Sequence, residues 1–126
     1  YTKLVELRGY NREQVNLLAN AANCLLMTSH REGSPVIIKE AMACGTPIVS
    51  VDVGDVKEVL AGVDRCFIST YDASNIATHL KQALKFEGKT NGPQSIIEKR
   101  LSNELVVKRI IDIYNNVLKR NNRTQI

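Results

Sequence analysis

Two carboxylates bracket a helix start in the run Glu32-Gly33-Ser34-Pro35-Val36-Ile37-Ile38-Lys39-Glu40. A carboxylate only accepts hydrogen bonds and can take them from two adjacent hydroxyls, so a ribose diol at Glu40 and a sugar ring at Glu32 are sensible pairings. Between them the first helical amides lack intrahelical partners, and with the aligned peptide dipoles they carry about half a positive charge. An anion fits there. Ser34 is expected to be the N-cap, accepting a hydrogen bond from a first-turn amide, with Pro35 at the first helical position, where its fixed φ and missing N–H cost nothing. Val36 and Ile37 then offer free amides, and Gly33, without a Cβ, lets a ligand approach the backbone just before the cap. Glu40 lies about 9 Å along the axis from Ser34, at roughly 1.5 Å rise per residue, so it must meet a different part of the ligand from the phosphate. Hydroxyls at both ends and phosphate in the middle describe a nucleotide sugar. The same residues also suit an ordinary surface helix, with Glu40 solvated or paired and Glu32 a loop charge, and a short motif alone does not separate the two.

The surroundings favour the ligand. After the pair, Ala41 to Val51 reads as a small-residue helix stopped by Gly45, a tight turn at Pro47 and a short buried strand. Before it, Asn20 to Ser29 reads as a helix end running into another apolar strand. In open parallel sheets ligands bind beyond the carboxyl ends of strands, and the loop from Ser29 to Ser34 occupies that position. Over the whole chain, strands are expected at Lys3 to Arg8, Cys24 to Ser29, Pro47 to Val51 and Cys66 to Ser69. Helices are expected at Arg12 to Ala22, Pro35 to Cys44, Val56 to Ala61 and Ser74 to Phe86. This alternation predicts an α/β fold, a Rossmann-like parallel sheet flanked by helices. A last helix is expected at about 102–120, where Leu101, Leu105, Ile110, Ile113, Tyr114, Val117 and Leu118 form an apolar stripe of the kind that usually joins the core.

From Leu7 to Leu60 the chain resembles the donor-binding lobe of the glycogen-synthase-like retaining glycosyltransferases, family four of the GT-B fold. Their signature is a Glu, seven residues and a Glu, and Glu32, Gly33, Pro35, Glu40, Ala41, Ala43, Gly45, Pro47 and Val49 match it. Gly9-Tyr10 resembles the family's strand-to-helix turn near the nucleobase. Asp52-Val53-Gly54-Asp55-Val56-Lys57-Glu58 resembles a "D-x-G-G-x-x-E" element in which Asp55 replaces the second Gly. Near the C-terminus, Leu101 to Glu104 with Val106, Ile110, Ile113 and Tyr114 is similar to the family's closing helix, with Asn103 where a Trp is common. The resemblance implies that Glu40 binds the ribose hydroxyls and that Glu32 meets the donor sugar as the catalytic carboxylate. The amides around Val36, Ile37 and Ile38 would hold the distal phosphate, and Gly9 and Tyr10 would lie near the base. It further implies sugar transfer from a nucleotide-diphosphate sugar to an acceptor, in the setting of polysaccharide biosynthesis, with retention at the anomeric carbon. No cofactor and no obligatory metal is implied, since helix amides and basic residues can neutralise the leaving diphosphate. The absence of an Asp-x-Asp motif agrees.

With 126 residues the chain is expected to be one domain, too short for a two-lobed enzyme. Beginning at Tyr1 inside an expected strand, without an initiator Met or signal peptide, it reads as cut from a longer protein. Its missing partner would be an N-terminal acceptor lobe, and the chain alone is expected not to catalyse transfer. Lys3 to Arg8, left with one open edge, would present unpaired N–H and C=O groups to another chain, so self-association is expected there. The net charge of +4 admits an anionic membrane surface as a further partner, although a solvated basic face explains it as well. Nucleic acid is not expected, because no aromatic residues interleave the basic ones. No apolar run reaches the roughly 20 residues that span a bilayer, and Cys24, Cys44 and Cys66 form no paired metal motif. They read as buried reduced thiols, which points to a cytoplasmic setting, with attachment to the inner membrane face as its variant. His30, beside the candidate site, could touch the donor sugar, while His79 reads as a helix residue. Gly33-Ser34-Pro35 is not a nucleophile elbow, and no Gly-x-Gly-x-x-Gly follows a strand, which counts against a hydrolase and a nicotinamide dehydrogenase. A nucleotide-sugar epimerase lobe and a non-catalytic nucleotide-binding module remain alternatives.

Overall fold

The computed structural model describes residues 2–123, so Tyr1 lies outside the described residues. Its elements run α1 (Arg12–Ala21), β1 (Leu25–Met27), α2 (Val36–Ala43), β2 (Ile48–Val51), α3 (Val56–Leu60), β3 (Cys66–Ser69), α4 (Ala73–Leu84), α5 (Gly92–Glu98) and α6 (Asn103–Arg123). The three strands pair in parallel in the order β1-β2-β3, with Leu26 beside Val49 and Val49 beside Phe67. Alternation along a strand then divides the sheet into two faces. Leu25, Met27, Ile48, Cys66 and Ile68 share one, and pack with Ile38, Ala41 and Met42 of α2 and with Val56, Val59 and Leu60 of α3. Phe67 and Ser69 lie on the other, under α4, where the ring of His79 stacks on Phe67 at 5.3 Å. The chain is thus α/β, a parallel sheet with helices on both faces, in keeping with part of a Rossmann-like GT-B lobe.

Burial of both sheet faces explains why β2 is wholly apolar apart from Ser50: all four of its residues are buried. The sheet and α2 are tied to α1 by the buried Thr46 hydroxyl, which donates to the Ala19 carbonyl at 2.6 Å. Below the sheet, Lys99 donates from Nζ to the carbonyls of Val59 and Ala61 at 2.7 and 2.6 Å, neutralising the end of α3 as a C-terminal cation should.

Three expectations need correction. Lys3 to Arg8 is not a strand: Leu4 is 83% exposed, and the segment's backbone contact is a local one, from the Arg8 amide to the Glu6 carbonyl at 2.9 Å. A strand needs a ladder partner and a buried face, and this segment has neither, so the outer strands are β1 and β3 and the proposed strand edge for self-association is not formed. Helix α5 was not among the expected helices, and a Gly-Pro start gives it no local helix signal. Tertiary packing forms it: a Cβ on Gly92 would stand 2.4 Å from the Met42 carbonyl oxygen, so only glycine lets α5 lie on the end of α2. The C-terminal helix lies near its expected bounds, but its stripe is not core. Leu101 packs on the core, but Ile110, Ile113, Tyr114, Val117 and Leu118 are all at least 44% exposed.

Candidate functional site

In a parallel sheet with returning helices, strand ends and helix starts collect at one edge. Here that edge carries the β1–α2 loop with Glu32, Gly33 and Ser34, the β2–α3 turn with Asp52 to Asp55, and the start of α4. The two loops are fastened together. The Asp55 amide donates to the Gly33 carbonyl at 3.0 Å. Gly54 has φ +57, and a Cβ there would lie 2.2 Å from the Gly33 oxygen and 2.8 Å from that of Glu32. Gly54 therefore makes the close backbone approach at this turn, and the position of the second Gly is free to carry a side chain.

That side chain redirects the cap. Ser34 is not the N-cap of α2, and Pro35 is not its first helical residue: Pro35 itself is the cap, with φ −65 and ψ 121, and no side chain caps the helix. The Ser34 hydroxyl instead donates to Oδ2 of Asp55 and accepts from Nζ of Lys39. Lys39 and Asp55 also form an ion pair at 3.8 Å, with side chains 23% and 34% exposed. Lys39 reaches back because helical side chains lean toward the N-terminus. Oδ1 of Asp55 is buried without a hydrogen-bond partner. The expected site residues then fall as follows. Glu32 is exposed in the loop, Glu40 is half-buried in the second turn of α2, and Val36 is exposed, whereas the Ile38 side chain belongs to the core and could contribute only its amide. Glu40 also marks the field at the far end of its helix. Burial pushes the Cys44 thiol up, Lys89 pulls it back, and the Glu40 carboxylate raises it again.

Gly9 and Tyr10 precede α1, which begins with Asn11 and Gln14 in reciprocal capping contacts of 2.9 and 3.0 Å. Gly9 has φ +76 and open space around it, so the chain turns sharply there and leaves Tyr10 43% exposed. Asn16 of α1 meets the Cys44 thiol at 3.8 Å, and Ala19 meets Thr46, so α1 packs against the C-terminal end of α2.

Sequence reasoning did not single out Tyr71. Its hydroxyl donates to the Ser29 carbonyl at 2.9 Å and its ring stacks on His30 at 4.8 Å and 5°, joining the end of β3 to the loop that carries Glu32. With Asp52, Ile68, Ser69 and His79 it lines an open cleft of about 440 Å³. Its position just past a strand end was the available signal. The three thiols are free and half-buried, and burial holds Cys24 and Cys66 up at about 11. Among the described residues no helix is long and apolar enough to cross a membrane.

The family model for glycosyl transferases group 1 matches residues 1–85. The chain belongs to that family. Among curated proteins it is similar to a D-inositol 3-phosphate glycosyltransferase of Frankia alni, 33% identical over 66 residues, which is 52% of this chain and 16% of that protein. It is also similar to a protein of the same name from Mycolicibacterium smegmatis, 31% identical over 78 residues, or 61% of this chain and 18% of that protein. The matches thus span less than a fifth of these relatives. No solved structure matches significantly.

Proposed function

We propose that this chain is the donor-binding part of a retaining glycosyltransferase of family four, which moves a sugar from a nucleotide-diphosphate sugar to an acceptor. The carrying observation is the start of α2, left without a side-chain cap between an exposed Glu32 and a half-buried Glu40. Uncapped amides and the helix dipole attract a diphosphate, and water-accessible carboxylates on either side accept from sugar hydroxyls. In this reading Glu40 takes the ribose diol, Glu32 the transferred sugar, and the amides of Val36, Ile37 and Ile38 the distal phosphate. Gly9 and Tyr10, at the open turn before α1, neighbour the base in this reading. The leaving diphosphate is neutralised by amides and basic side chains, with no obligatory metal. An acceptor lobe completes the enzyme, and the chain alone does not turn over. The setting is cytoplasmic, with an anionic membrane surface as a secondary partner.

Calorimetry with nucleoside diphosphates and nucleotide sugars tests this. Glu40→Ala should weaken all of these ligands at least tenfold, the loss of about 1.5–3 kcal/mol for hydrogen bonds to a charged group. Glu32→Ala should spare the diphosphates and abolish preference among sugars. Equal affinities in both variants and the native chain would refute the assignment.

A further inference from the structure

We propose that Asp55 is a positioning residue that keeps the start of α2 open by holding Ser34 away from it. The local sequence favours Ser34 as cap and Pro35 as first helical residue, since serine is a strong cap and proline is preset for the position that follows. The structure has the opposite arrangement. The Ser34 hydroxyl is turned to the Asp55 carboxylate and held from its other side by Lys39, and Pro35 stays extended with ψ 121. The backbone of Asp55 is held in place, because its amide is bound to the Gly33 carbonyl and Gly54 leaves no room between the two loops. Three features that look separate in the sequence, an Asp in place of a Gly, a Lys one turn into the helix and a Ser before Pro35, thus act as one device. A backbone without the Asp55 carboxylate releases Ser34 to accept from the amide of Val36 or Ile37. Those are the amides assigned above to the donor phosphate, so the consequence for binding rests on that reading, while the competition for the Ser34 hydroxyl does not.

Amide hydrogen exchange in the ligand-free 126-residue chain tests the competition. In Asp55→Ala the exchange of Val36 or Ile37 should slow about fivefold, the worth of a serine cap, and in Asp55→Ala/Ser34→Ala it should return to the native rate. Unchanged or faster exchange in Asp55→Ala overturns the proposal. Should that variant not fold, Asp55→Asn, which retains an acceptor for Ser34, should exchange at the native rate, and slowing there overturns it equally. Calorimetry with uridine, guanosine and adenosine diphosphates reads the consequence. Asp55→Ala should lose about fivefold in affinity and the double variant should regain it; a double variant as weak as the single one contradicts the role. A native chain that binds none of these diphosphates defeats the donor-lobe reading, and the exchange rates still decide whether Asp55 displaces Ser34.

Discussion

Helix α2 spans 8 residues and α6 spans 21, yet Ile38, Ala41 and Met42 of the short helix are at most 1% exposed, whereas Ile113 and Tyr114 of the long one are 53% and 66% exposed. Both carry apolar side chains at helical spacing. What differs is the set of neighbours: α2 has a sheet face, α1 and α5 against it, and its start is fastened to the next loop through Gly54 and Asp55. Apolar periodicity declares a face, and only a partner surface makes it a core. The consequence for function is that the site edge is fastened where the glutamate loop meets the β2–α3 turn, whereas the apolar stripe of α6 stays exposed.

The contrast is broken most severely in the core. Ile38→Ala should cost about 2–5 kcal/mol in denaturant unfolding, since a fully buried branched chain leaves a cavity that the sheet cannot fill. A loss below 1 kcal/mol there would mean that α2 is not the anchor. Gly54→Ala should cost about 1–3 kcal/mol, from its left-handed φ and from the carbonyls that crowd the added methyl. It should also shift the amide signals of Gly33 and Ser34 without disturbing those of α5, because the strain is confined to the two fastened loops. The smallest effect belongs to α6: Ile113→Ala should change stability by less than about 0.5 kcal/mol, the usual range for a surface position. A larger loss would show that the α6 stripe is covered in solution.

Much of this arrangement is legible in the sequence. β3 at Cys66 to Ser69 runs as expected, and β1, β2, α1, α3 and α4 differ by a few residues at their ends, because patterned apolar runs and turn residues agree with the tertiary context. Failures arise where the deciding partner is remote. Leu4 and Leu7 lack the neighbouring strand that would make their segment a ladder, and α5 exists because Gly92 fits the backbone of Met42. Around the candidate site, the glutamates and the helix start to within one residue were legible, being local. The redirected Ser34 was not, since its partner Asp55 is 21 positions away, and the Tyr71 contact spans 42 positions from Ser29.

The central claim is that a nucleotide diphosphate rests on the open start of α2 between Glu32 and Glu40. The most direct measurement is a titration of the chain with nucleoside diphosphates, followed by backbone amide resonances. The largest shifts should fall on Gly33, Val36, Ile37 and Ile38, with Glu40 and Tyr10 next and α6 unmoved. Saturable shifts centred on the Tyr71 cleft or on α6, with the amides of α2 silent, would contradict the account.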